Sequence, residues 1–562
     1  MKRVTEYSGT ETETDTETGS RSTFQVWYAR TVVPQAVLVV VGLWAAWRPC
    51  ETSTWSAALL AGAALVLLPW ALDRTHDAGA RAGLVAALAV GLFGGLRALS
   101  GWDPATAVGE AGLVIAVAAA IWLASREQLS EDSLRLFALG LAALALWAAW
   151  QVAGGLEQAR SAVADLPLHM QANALERLES GRAFASFVLP SHLGVVLATA
   201  LPLLIAGVRR TAAGAASLLG CVLCVVGLLL TQSPVGIVLA AAAGLTVVAG
   251  ARRWPAVAAA AVLACGAVAA FVMRPDLAAL EPLQLRLDNW RTAAWVWSTS
   301  PVAGVGFGGY GQASQAVPFE VGNHPAHAHS LPLEWAAELG LVGVLAVVLG
   351  VLGLASLVRR LWPERRALAV AIAVVPIHNL VDFSLYTSGV AVIWALLVGW
   401  GLAAVRRPSK GPASRWPRLA ALAGAAVVVG VTSLHATSVV VQRSAAAQAT
   451  SRARFEGLVR AHQLAPWRLE PVTMAAIEGL ESDDTPTIVT AARLLDDSRA
   501  LRPASASLAA LASRLAVLQG HAPRAVSEAW AAAHAQPFVR AHGEHLNTIL
   551  ERLAESGDGS RD

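Results

Sequence analysis

Long uninterrupted apolar runs constrain this chain more than any other feature of its sequence. They lie near residues 31–48, 54–73, 82–99, 108–125, 134–156, 188–208, 211–231, 234–250, 255–273, 331–358, 367–384, 389–405 and 417–438, most of them close to the ~20 residues a helix needs to cross a bilayer. The runs are continuous rather than alternating, which excludes barrel strands, and a helix satisfies its own backbone hydrogen bonds in lipid. Only 14% of residues are charged, well below the roughly one quarter usual for a soluble domain. The expected fold class is therefore all-α, a polytopic integral membrane protein of about 12–13 transmembrane helices.

The links between runs alternate in Lys and Arg content. Arg74 and Arg81, Arg126 and Arg135, Arg209 and Arg210, Arg252 and Arg253, the segment Arg359–Arg366 and the segment Arg406–Arg418 are on the rich side; links near 49–53, 100–107, 232–233 and 384–388 carry almost none. By the positive-inside rule the rich set is cytoplasmic, with the amino terminus inside and the carboxyl terminus outside. Residues 1–30 contain "GTETETDTETGS", which lacks the apolar content to fold and reads as a disordered tail. No cleavable signal precedes the first run, which is expected to act as its own signal. The expected organisation is this tail, a membrane domain over 31–438 with large outer loops at 157–187 and 274–330, and an extracytoplasmic helical domain over 439–562. In that last part Pro466, Pro503 and Pro537 recur at close to the 34-residue period of tetratricopeptide repeats; an irregular helical domain is the alternative. Cys221 and Cys224 form C-x-x-C inside an apolar run and are read as small apolar side chains.

Polar side chains of unusual kind converge on the outer face. Arg182 ends the first long loop, Arg286 and Arg291 flank Trp290, His329 opens the tenth run, and His378, Asp382 and Tyr386 sit at the outer end of the eleventh. No Asp-x-Asp pair, nucleotide-binding glycine fingerprint or serine elbow accompanies them, and "PVAGVGFGGYG" reads as a tight loop turn. Arginine suits bidentate recognition of phosphate, and a lipid headgroup is the other ligand it would meet there. Ser330 as N-cap and Pro332 in the first turn start a helix directly after His329, so the positive helix end favours a neutral imidazole able to accept a proton. His324, His327 and His329 also have spacing seen in metal sites, but no further ligand set stands near; His324 and His327 are read as incidental. Glu334 and Glu338 fall within the membrane run, either as functional carboxylates or as hydrogen-bonded structural partners.

The stretch "AHSLPLEWAAELGLVG" resembles the signature of the O-antigen ligase and O-antigen polymerase family. "RLDNW" before "SPVAGVGFGGYG", the entry "GRAFASFVLPSHLGVVLATALPLL" and the late "HNLVDFSLYTSGVAVIWALLVG" resemble its other blocks, in order, over about residues 180–405. Pro234 stands where the family often has Arg, and Ser330 where Asn is usual. The resemblance implies inverting, metal-independent and cofactor-free glycosyl transfer from an undecaprenyl-pyrophosphate-linked glycan at the periplasmic face of the bacterial inner membrane. It implies His329 as general base and Arg286 and Arg182 on the pyrophosphate, with Arg291 or Arg97 in place of the missing Arg; Glu338 and Asp382 are further substrate-site candidates. The acceptor it implies is a glycan, lipid A core or a protein hydroxyl. Membrane lipids and envelope proteins, the latter through the carboxyl-terminal domain, are the other expected partners, with no role for nucleic acid. A glycan-lipid transporter and an inactive assembly scaffold are the competing readings.

Overall fold

The computed structural model describes residues 39–45, 104–125, 129–161, 163, 168–187, 189–208, 211–249, 281–317, 326–405, 437–438, 440–466, 468, 470–501, 505–535 and 540–558. Expected runs 54–73, 82–99 and 255–273, most of 31–48 and 417–438, the amino-terminal tail, Cys50, Cys265, Arg97, His324 and the basic links at 74–81, 126, 209–210, 252–253 and 406–418 lie outside the described residues. The protein is all-helical, with 83% helix and no strand among the described residues.

The membrane part contains α1 (Pro104–Ala124), α2 (Glu131–Ser161), α3 (Leu168–Glu179), α4 (Pro190–Gly207), α5 (Ala212–Thr231) and α6 (Pro234–Ala249). Then come α7 (Glu281–Thr299), α8 (Leu331–Leu339), α9 (Leu341–Leu361), α10 (Arg366–His378) and α11 (Ser388–Val405). Five of these, α2, α4, α5, α9 and α11, are long and apolar enough to cross a membrane. α4 is central, with 83% of its apolar stretch buried against 11% for α9. The α9 side chains Leu345, Leu349, Val351 and Leu352 are accordingly exposed, as suits a lipid-facing surface. Small residues let the backbones close up, as where α4 crosses α6: a β-carbon on Gly236 would stand 3.2 Å from the Cα of Gly194.

Two expected runs differ from continuous spans. The tenth, 331–358, is broken at Gly340, whose φ of 60° ends α8 and begins α9. The break is tolerated because the glycine loop before it supplies the missing partners: Val305 N–H donates to Ala337 O at 3.0 Å, Gly306 N–H to Glu338 O at 2.8 Å, and Leu341 N–H to Val302 O at 3.2 Å. The eleventh, 367–384, stops as an α-helix at His378, and Ser384–Tyr386 forms a 3-10 turn before α11. α2 contains a π-turn over Gln151–Gly155. The loops 157–187 and 274–330 each contain a helix, α3 and α7.

The bundle has two chemically different ends. A cleft at one end is lined by Arg135, Gly207, Val247, Arg365 and Arg366. At the other lie the start of α4, the end of α5 and the loop between α10 and α11, joined by the contacts described below. Beyond residue 450 the described residues form six helices: α12 (Ser451–Leu464), α13 (Glu470–Leu480), α14 (Thr485–Leu501), α15 (Ala506–Leu518), α16 (Ala522–Ala535) and α17 (Arg540–Asp558). Each packs on the next, and Phe455, Leu458, Val472, Leu495 and Leu515 share one core. Pro466 follows the end of α12; Pro503 and Pro537 lie outside the described residues. Cys221 and Cys224 are buried and free in α5.

Candidate active site

His329 sits one residue before the extended Ser330 that precedes α8. Pro332 is in the first turn, but the Ser330 hydroxyl makes no capping bond, contrary to the sequence expectation. The Glu334 carboxylate does comparable work, accepting the Ala328 N–H at 2.9 Å and meeting His327 Nδ1 at 2.7 Å. The start of α8 is further tied down by Leu331 N–H, which donates to Asn379 O at 3.0 Å. His329 itself has φ 52°, a left-handed conformation that costs a non-glycine residue roughly 1–2 kcal/mol. Its carbonyl accepts the Trp290 indole N–H at 3.3 Å, and its buried Nδ1 has no hydrogen-bond partner among the described residues.

The two histidines of "HAH" have opposite charge preferences. Burial holds His329 below the ordinary imidazole value; Asp382 opposes that shift and Arg286 adds to it. Burial also works against protonation of His327, but the Glu334 carboxylate, with Glu110 and Asp382, outweighs it and raises the value. His327 is therefore not incidental. Sequence reasoning missed it because its partner lies seven residues on, across the turn into α8.

The loop after α10 brings in the late block. Asp382 is buried, with Oδ1 3.6 Å from His192 Nε2 and Oδ2 3.7 Å from His378 Nε2. The outer nitrogens of those rings are held in turn: His192 Nδ1 is 2.8 Å from Thr387 Oγ1 and His378 Nδ1 3.1 Å from Ser384 Oγ. Asp382 thus lies between histidines from α4 and α10, near both rings but beyond hydrogen-bond distance of either. Beside it, Phe383 stacks on His327 at 4.3 Å and 18° and meets His329 edge-on at 4.9 Å and 83°.

Glu338 is also buried rather than open to a ligand. It accepts the Tyr310 N–H and the Tyr386 O–H, each at 3.3 Å. Glu110 of α1 accepts the Gly308 N–H at 3.0 Å, so two carboxylates from distant helices hold the glycine loop. Neither the role of Glu110 nor that of His192 was read from the sequence. His192 stood within the quoted "LPSHLG", and Glu110 is a lone carboxylate in an apolar run, which was the available signal.

The arginines separate. Arg286 lies one helical turn before Trp290, hence on the α7 face that bonds His329, and it acts electrostatically on both His329 and His378. Arg291 is exposed and about 140° further round α7, so the helix turns it away from that face. Arg182 Nε donates to Thr231 O at 3.0 Å, at the carbonyl end of α5, where a cation is favoured. Gln151 shapes its loop: Oε1 accepts the Phe184 and Ala185 N–H groups at 3.0 and 2.7 Å, and Nε2 donates to Ala185 O at 3.1 Å. Pro234 begins α6 at a position where its missing N–H is harmless, with Ser233 Oγ accepting the Gly236 N–H at 3.3 Å.

An all-helical body with long apolar helices and a polar cluster at one bundle end defines a polytopic membrane protein. Within it, residues 219–348 match the family model described as O-antigen ligase, which supports the family resemblance seen in the sequence. The match contains α6, α7, the glycine loop, His327, His329 and both glutamates of α8, while Arg182, His192 and Asp382 lie outside it. No curated protein matches the chain at a significant level.

Proposed function

We propose that the chain is a membrane glycosyltransferase moving a glycan from an undecaprenyl-pyrophosphate-linked donor to an acceptor hydroxyl at the periplasmic face of the inner membrane. The family match supports the reaction class. The observation that carries the mechanism is His329: left-handed, half-buried, held neutral, on the face of α7 that bears Arg286. A strained polar residue beside a cation is a reason to look for chemistry there.

In this reading His329 removes the proton from the acceptor hydroxyl as its oxygen attacks the anomeric carbon. The bond from that carbon to the pyrophosphate oxygen breaks on the opposite side, and the configuration inverts. Arg286 stabilises the charge developing on the departing pyrophosphate, whose low basicity makes protonation unnecessary. Arg182, with one nitrogen already on Thr231, acts on a more distant part of the donor; Arg291 has a weaker claim because of its direction. Glu338 and Asp382 act by positioning, the first on the glycine loop and the second on the histidines. The clustering of Arg135, Arg365 and Arg366 at the opposite bundle end supports the orientation, with that end cytoplasmic. The helices from α12 onward would then be periplasmic, offering a surface to the acceptor or to envelope proteins.

The test is transfer by membranes containing His329→Ala with a lipid-linked glycan donor. Loss of rate by about 100- to 10,000-fold with donor binding retained is expected for removal of a general base. Transfer at the wild-type rate would overturn the mechanism, and flux of labelled donor without covalent transfer would replace it with a transporter.

A further inference from the structure

Histidine bases are ordinarily oriented by a third group that hydrogen-bonds the ring nitrogen not used in catalysis. His329 has no such group among the described residues, since its Nδ1 is buried without a hydrogen-bond partner. What its ring does meet is the edge contact with Phe383 at 4.9 Å and 83°. An edge-to-face pair of this kind is directional, because the positive rim of one ring faces the negative face of the other.

Phe383 is itself tightly held. It is buried, its N–H donates to the adjoining Asp382 Oδ1 at 2.7 Å, and His192 meets it at 5.3 Å and 84°. The parallel stack with His327 occupies another side at 4.3 Å. Asn379 secures the loop around it, donating to Ser384 Oγ at 2.9 Å and accepting the Leu385 N–H at 3.0 Å. One aromatic ring therefore contacts three imidazoles from two parts of the chain, His192 of α4 and the His327 and His329 pair before α8.

We infer that Phe383 is the positioning residue that orients the His329 imidazole, in the role that a hydrogen-bonded carboxylate fills for other histidine bases. The inference rests on the reading of His329 as base. It explains why the loop carrying Phe383 is anchored through Asp382 and Asn379 although neither contacts His329 by hydrogen bond. An aliphatic side chain of similar volume would fill the space and impose no ring direction.

The experiment compares Phe383→Leu and Phe383→Tyr in the full-length protein in membranes, with His329→Ala alongside, by steady-state transfer from a lipid-linked glycan donor. Phe383→Leu should lower kcat on the order of 10- to 100-fold with KM within about 2-fold, the size of a misoriented catalytic group. Phe383→Tyr, which keeps the ring, should retain most of kcat. Wild-type kcat in the leucine variant, or equal losses in both variants, would overturn the inference. If the leucine variant does not accumulate, Phe383→Met supplies the aliphatic arm; failure of both aliphatic variants to accumulate while the tyrosine variant does assigns the ring to folding and overturns it too. Undiminished transfer by His329→Ala would remove the underlying reading instead, whereas an inactive His329→Ala with an unaffected Phe383→Leu would remove only the role of Phe383.

Discussion

Gly306 donates its N–H to the carbonyl of Glu338 at 2.8 Å, so the glycine loop satisfies the helix end exposed where the tenth span breaks. A helix terminus inside a membrane needs such partners, and this bond couples the loop to the helix that His329 opens.

Gly304 tests that coupling. It has φ 68°, and a β-carbon there would overlap the Glu338 carbonyl. Gly304→Ala should cost about 1–2 kcal/mol for the left-handed backbone and a further ~1–3 kcal/mol for the overlap. Thermal melting of detergent-solubilised protein should fall clearly. Gly353→Ala, mid-helix in α9 with open space around it, should leave melting unchanged or raise it.

Gln151 is expected to hold the Arg182 loop. Gln151→Leu strands the Phe184 and Ala185 N–H groups, at about 1–3 kcal/mol for the buried Ala185 donor and less for the half-buried Phe184 donor. Hydrogen exchange over residues 182–187 should accelerate while α4 stays protected. Unchanged exchange there would show that the clamp contributes nothing.

The pH profile follows from the shift of His329. Its value in the folded protein lies below the ordinary 6.5, so the proton-accepting form persists at pH 6.5 and is lost only at lower pH. The acid limb of the transfer rate should therefore have its midpoint below 6.5, and a midpoint at or above 6.5 would count against His329 as the base. For stability the unfolded chain binds the proton more readily, so the His329 contribution weakens as pH falls through the unfolded value. His327 has the opposite sign: its contribution is complete below the ordinary 6.5 and is lost as pH rises through its higher folded value.

Arg468 connects the last helices to the segment before them. It is buried and donates to Ser438 Oγ at 2.9 Å and Gln442 Oε1 at 2.5 Å. Arg468→Met should leave those oxygens short of donors at roughly 1–3 kcal/mol apiece. Limited proteolysis should then cut near residues 440–470 faster, with the membrane part resistant as before.

Much of the site was legible because its residues are close in sequence or carry a recognisable signature. His329 and Pro332 at a helix start, Arg286 a turn from Trp290, and the loop character of "PVAGVGFGGYG" all come from short-range pattern. Glu338 and Asp382 were legible as unusual but not in role, since burial and partners decide whether a carboxylate meets a ligand or a backbone N–H. His192 and Glu110 were not legible as members of the site, because their partners, Asp382 and Gly308, lie far along the chain.

The sequence by itself determined that the chain is helical and membrane-borne, because lipid offers no hydrogen bonds and continuous apolar runs leave the helix as the solution. Only the tertiary structure decided where the tenth span breaks, which carboxylates hold the glycine loop, and which way His329 turns. Those outcomes depend on contacts between distant segments, Gly306 with Glu338, Gly308 with Glu110 and Phe383 with His329, whose geometry no local periodicity records.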